Sequence, residues 1–244
     1  MLVEACVDSV ESAVAAEAGG AGRVELCDNL VEGGTTPSIG AITLARDTLR
    51  IPIHVIIRPR GGDFHYGRRE IDTMRRDVAA AREAGVAGVV IGALRADGTV
   101  DTGIAARLIS EAGPLSVTFH RAFDLARDPG EALDALIALG VHRVLTSGQA
   151  PSAPEGAALI ADLVRRADGR IGVLPGGGIR ADNAAALVAA TGVSELHVRG
   201  AAVVESAMRS RRRGIPMGRA YVPDEYRWEV TTAETNAAIV SAVR

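Results

Sequence analysis

Short β-branched runs alternate along this chain with longer stretches of Ala, Leu, Glu and Arg whose apolar residues recur at helical spacing. The runs fall at about 2–7, 23–27, 53–58, 87–92, 115–119, 142–147, 171–174 and 195–198. Amphipathic stretches lie between them at about 9–19, 38–49, 69–85, 101–112, 129–139, 154–167 and 180–190. Gly85, Gly140 and Gly192 stand just before the next run, where a helix ends by turning into left-handed backbone. Eight strand-then-helix units within about 200 residues predict an α/β fold of one domain, a closed (β/α)8 TIM barrel rather than an open doubly wound sheet. The barrel is expected over about 1–200. The remainder, about 201–244, departs from the pattern and is expected to form a C-terminal extension. It carries Arg209, Arg211, Arg212 and Arg213, then Pro216, Pro223 and a helical stretch from about 231. That basic cluster reads as a solvated or subunit-contact surface.

The alternation within the strands has a consequence for the barrel interior. Strand one sets Val3, Ala5 and Val7 against Glu4 and Cys6, and strand two sets Val24 and Leu26 against Glu25 and Cys27. Strand three opposes Val55 and Ile57 to His54, Ile56 and Arg58. Strand five opposes Val117 and Phe119 to Ser116, Thr118 and His120, and strand eight opposes Leu196 and Val198 to Glu195 and His197. The apolar set must meet the helices, so the polar set points inward. Barrel interiors are normally filled with branched aliphatics, and an unpaired buried charge costs several kcal/mol. One explanation is a self-satisfied ion network, for example Glu25 with Arg58. The other is a ligand site, which in this fold lies at the C-terminal ends of the strands.

The loops after the strands favour a site. Arg58 and Arg60 flank Pro59, and the alternation sends both to one side as a fork suited to a carboxylate or phosphate. Gly176, Gly177 and Gly178 follow strand seven, where backbone amides commonly hold phosphate, and His197 faces the same cavity. Glu4 and Glu25, expected at matching heights on adjacent strands, would supply a general base. His54 or His120 would be its acid partner, and Asp124 completes the candidate catalytic set.

Composition narrows the chemistry. The chain has 244 residues, 48% hydrophobic, with a net charge of −3, which argues against a general nucleic-acid partner. No apolar run approaches a bilayer span, and Met1-Leu2-Val3-Glu4 does not read as a secretory signal. Two cysteines are too few for a disulfide scaffold, so a reducing, cytoplasmic location is expected. All 27 basic residues are arginine. Without a lysine, Schiff-base aldolase, pyridoxal-phosphate and Walker-type nucleotide chemistry are excluded.

Several motifs together resemble the CutC family. They are Glu4-Ala5-Cys6-Val7-Asp8-Ser9, Glu25-Leu26-Cys27 through Thr36-Pro37-Ser38, and Ile57-Arg58-Pro59-Arg60-Gly61-Gly62-Asp63-Phe64. Thr118 through Asp124, Leu145-Thr146-Ser147-Gly148 and Pro175-Gly176-Gly177-Gly178-Ile179 continue the match in order. The resemblance implies a cytoplasmic TIM barrel, commonly a homo-oligomer, with a part in copper homeostasis. It also implies Cys6 and Cys27 as Cu(I) ligands. Those cysteines share parity and are expected at matching positions on adjacent strands. Arg199 departs from the family's usual small residue. Two readings follow: a Cu(I)-binding protein, suited to soft thiolates, or a TIM-barrel enzyme. The enzyme would be an isomerase, lyase or hydrolase acting without a Schiff base on a small anionic or phosphorylated metabolite. A non-catalytic ligand-binding barrel is the third.

Overall fold

A computed structural model describes residues 1–212, 215 and 226–244. Arg213, Pro216 and Pro223 lie outside the described residues. The chain forms the expected barrel. Its strands are β1 (Leu2–Val7), β2 (Arg23–Leu26), β3 (Ile53–Ile56), β4 (Gly88–Ile91), β5 (Ser116–Phe119), β6 (Arg143–Thr146), β7 (Gly172–Pro175) and β8 (Glu195–Val198). They pair in parallel in the order β7-β6-β5-β4-β3-β2-β1-β8, and a parallel bridge from Gly176 to His197 joins the two ends.

Seven helices follow the first seven strands: α1 (Val10–Ala18), α2 (Ile39–Thr48), α3 (Arg68–Glu83), α4 (Thr102–Ala112), α5 (Pro129–Ala138), α6 (Ala157–Ala167) and α7 (Ala184–Thr191). Polar caps fix where several begin. The side chains of Ser9, Ser38, Asp101 and Asp128 accept the orphan amides of Ser12, Ala41, Ile104 and Glu131. The helix expected from 180 starts later, because residues 180–183 form a turn. In it Asn183 Oδ1 accepts the Arg180 amide at 2.8 Å, and its side-chain amide donates to the Gly178 carbonyl at 3.0 Å. The outward strand residues, such as Leu26, Val55 and Phe119, are fully buried with helix residues such as Met74, Leu108 and Leu136. This apolar layer between sheet and helices frees the barrel axis for polar side chains.

Within 201–244, β9 (Ala201–Glu205) and β10 (Arg227–Thr231) make a separate antiparallel pair. The last helix, α8 (Ala233–Ala242), packs on α1 and α7. It is fastened by the buried Asn236, which donates to the Ala16 carbonyl at 3.1 Å. Among the described residues, no helix is long and apolar enough to cross a membrane.

Candidate functional site

The inward polar residues divide by height along the barrel axis. Toward the N-terminal end, Glu4 on β1 stands opposite Arg23 on β2. The Arg23 guanidinium bonds both Glu4 and Glu195, the latter at 2.6 Å. From β6, Arg143 donates to Glu195 at 2.9 Å and to Ser116 Oγ at 2.8 Å. Glu4 and Arg23 are almost wholly buried, so each charge is viable only because it is paired. Burial alone would raise the Glu4 pKa. Its hydrogen bond to His197, with the charges of His197, Arg23 and His54, holds it instead at about 2. His54 stands 3.9 Å from Glu4, and burial pushes its imidazole down to about 4. Glu4 is therefore a fixed anion, ill suited to the base role expected of it.

Toward the C-terminal end lie the two cysteines. The register corrects two expectations: Cys6 stands opposite Glu25, not Cys27, and Glu4 opposite Arg23, not Glu25. Each expected pair is offset by two residues. The cysteine sulfurs nevertheless meet at 3.8 Å, both buried, in an apolar setting of Ile56, Val90 and Leu30. Among the described residues, Cys6 Sγ, Cys27 Sγ and a Glu25 carboxylate oxygen form a group able to hold a metal ion, all within 4.8 Å of one another. His197 closes one side. Its Nδ1 lies 2.7 Å from Glu4 and its Nε2 lies 3.6 Å from Glu25.

These neighbours tune one another. The hydrogen bond from Cys27 outweighs burial and, with His197, holds the Cys6 thiol at about 5. The same sulfur–sulfur contact, together with burial, pushes Cys27 well above the ordinary thiol value. Burial and the nearby Cys6 charge raise Glu25. Burial works against a charged His197, but its bonds to Cys6 and Glu4 and the charge of Glu25 overcome it and raise the imidazole. These shifts push Cys6 toward the thiolate and His197 toward the imidazolium, with Glu4 orienting the ring.

The other sequence-selected residues are placed apart from this centre. Arg58 does not pair with Glu25. It donates to the carbonyls of Glu32 (2.7 Å), Gly34 (2.8 Å) and Gly62 (2.9 Å), tying the loops after β2 and β3 together. Arg60 turns to Glu70 at 2.6 Å and Asp63 at 3.1 Å, so the two guanidinia make no fork. Asp124 accepts from Thr146 Oγ1, the Ser147 amide and Arg121, and thereby shapes the loop after β6. Gly176 lies beside His197, where a β-carbon would collide with Leu145, and Gly177 and Gly178 continue the turn with positive φ. His120 accepts the Ala122 amide on Nδ1 at 3.1 Å, which leaves the neutral ring's proton on Nε2. Burial and the Arg58 charge press its pKa to about 3.

The sequence reading passed over Arg23 and Arg143, the cations that neutralise the interior carboxylates. Both stand at the first residue of their strands, where alternation is hardest to start counting. It also passed over Gly88 and Gly92. A β-carbon on either would press into the ring of His54 or His120 respectively, so Gly88 at the start of β4 and Gly92 just after its end make room for inward imidazoles. An inward glycine beside a strand with an inward histidine was the available signal.

The model of the CutC family matches residues 1–202. A CutC family protein of Chromobacterium violaceum is 54% identical over 243 residues, covering 100% of this chain and 96% of that protein. A mouse copper homeostasis protein cutC homolog is 48% identical over 230 residues, 94% of this chain and 85% of that protein. Among solved structures, a copper homeostasis protein CutC from Streptococcus agalactiae superposes with a TM-score of 0.77 at 36% identity, covering 81% of this chain and 97% of that one. The phosphoribosylanthranilate isomerase of Pyrococcus furiosus matches with a TM-score of 0.57 over 99% of this chain and 98% of that one, at only 14% identity. That likeness concerns the barrel alone.

Proposed function

This chain belongs to the CutC family, and we propose that it takes up Cu(I) as cargo on Cys6 and Cys27 and serves copper homeostasis. The observation that carries the reading is the meeting of the chain's two cysteines, 3.8 Å apart on neighbouring strands inside the barrel. Thiolates are the soft donors that Cu(I) prefers, and a reducing cytosol would keep both thiols free. Cys6 is already held toward the thiolate, so binding there displaces less proton at neutral pH than at an ordinary thiol. Leu30, Ile56 and Val90 provide an apolar surround that limits access of water and oxidant. The copper homeostasis name of the mouse relative supports the same assignment.

The test is competition for Cu(I) against a chromogenic chelator. The Cys6→Ser, Cys27→Ser double variant is expected to lose affinity by orders of magnitude while its circular dichroism stays that of the folded barrel. Cys27→Ser alone is expected to lose most of it, because a two-thiolate site has no spare sulfur. A double variant that competes as well as the unaltered protein overturns the assignment.

A further inference from the structure

Two thiols account for Cu(I), but they leave part of the same cluster unexplained. Glu25 is buried among them, and its Oε1 has no hydrogen-bond partner among the described residues. A buried carboxylate oxygen without a donor is costly unless something positive meets it. Glu25 lies within 4.8 Å of both sulfurs and stands directly opposite Cys6 in the register. Arg58, the cation the sequence offered as its partner, is occupied by backbone carbonyls.

The sulfur separation bears on which ion belongs there. A tetrahedral ion with metal–sulfur bonds of about 2.3 Å holds two sulfurs about 3.8 Å apart, whereas a linear one with the same bonds needs about 4.6 Å. The observed distance is 3.8 Å. His197 borders the cluster without belonging to its group of possible ligand atoms. One ring nitrogen is held by a carboxylate, Glu4, at 2.7 Å, and the other is turned toward the cluster, 3.6 Å from Glu25.

We infer that Glu25 is a third metal ligand and makes the cysteine pair a site for a borderline divalent cation of the Zn(II) class. Mixed sulfur and oxygen donation suits Zn(II), whereas Cu(I) gains little from a carboxylate. Glu25 thus sets which metal the site accepts: the sulfurs serve both ions, and the carboxylate serves the divalent one. The inference rests on Cys6 and Cys27 being metal ligands, as proposed above.

Parallel competition titrations with Zn(II) and Cu(I), on the unaltered protein and on Glu25→Gln, test it. The unaltered protein is expected to bind both ions. The Gln variant is expected to lose at least about tenfold in Zn(II) affinity, the scale on which even an outer-shell change weakens metal binding, and to keep its Cu(I) affinity within about threefold. Co(II) added to the unaltered protein gives a readout that needs no variant. Sulfur-to-metal charge transfer with the intense d–d bands of a tetrahedral ion is expected. Cu(I) binding without Zn(II) or Co(II) binding overturns this inference and leaves the copper reading standing. Equal loss of both metals in a folded Glu25→Gln variant also overturns it. Retention of Cu(I) by the double serine variant overturns the copper reading instead.

Discussion

The two ends of the barrel interior use the same kinds of side chain to opposite effect. At the N-terminal end, Glu4 and Glu195 share Arg23, Arg143 reaches Glu195 and Ser116, and every charge in that layer has an ionic partner. Toward the C-terminal end, Glu25 Oε1, Thr118 Oγ1 and His120 Nε2 are buried without hydrogen-bond partners among the described residues, and two thiols face each other, while in the paired layer His54 Nδ1 is likewise unmatched. Glu4 and Glu25 sit on neighbouring strands, yet the first is held at about 2 and the second is raised. Burial is common to both. What separates them is the neighbouring groups, the His197 hydrogen bond and charge together with the Arg23 guanidinium beside Glu4, and the Cys6 sulfur beside Glu25. An inward polar residue is thus no sign of function by itself; what differs between the ends is that the charges of one are paired and the Glu25 carboxyl of the other is not matched by an arginine.

The largest effect is expected where the paired end is broken. Arg23→Ala strips Glu4 of its guanidinium, leaving it to His197, and takes one of two arginines from Glu195, and a buried pair broken on one side loses roughly 3–5 kcal/mol. Denaturant melts at neutral pH measure this, and a loss under about 1 kcal/mol would mean that the network does not hold that end.

A middle-sized effect is expected at Gly92. Its alanine variant pushes a β-carbon into the His120 ring. Overpacking of this kind costs about 1–3 kcal/mol. The same variant should shift the His120 ring resonances in NMR spectra, whereas unchanged resonances would place the strain elsewhere.

The smallest effect is expected at the unpaired end. Glu25→Gln should change stability at pH 7 by no more than about 1 kcal/mol, or raise it, because it removes a carboxyl that the fold disfavours as an anion. The sign of its pH dependence follows from linkage. A pKa raised in the folded state means that the native protein holds a proton the unfolded chain has released, so stability falls as pH rises from about 4.5 through the raised value. The Gln variant lacks that decline, and its advantage over the unaltered protein should grow with pH across this window. Glu4 works in the opposite direction: its contribution is present above about 4.5 and is lost as pH falls toward about 2. A Glu25→Gln loss of 3–5 kcal/mol at pH 7 would mean that Glu25 is a structural ion like Glu4.

Periodicity alone determined the eight barrel strands and the seven helices between them, because a side-chain repeat of two against one of about 3.6 is a local property of the chain. The inward parity of Glu4, Cys6, Glu25, Cys27, His54 and His120 was equally local, and so was the absence of lysine chemistry. The family motifs could also be read along the chain. Partnership could not. Glu4 meets His197 across 193 positions, and Arg23 meets Glu195 across 172. The stagger of parallel strands in a closed barrel fixes which inward residues share a level, and one offset of two residues turned the expected pairing of Glu4 with Glu25 into Glu4 with Arg23. The same stagger brought Cys27 beside Cys6, although Glu25 is the residue opposite it. Arg58 and Arg60 diverged because loop carbonyls and Glu70, brought near by the fold, captured their donors first. The sequence by itself decided which groups point into the barrel, since that depends only on alternation. Which of them are neutralised and which remain free to bind was decided by the tertiary structure, because charge interactions act through space between strands far apart in the chain.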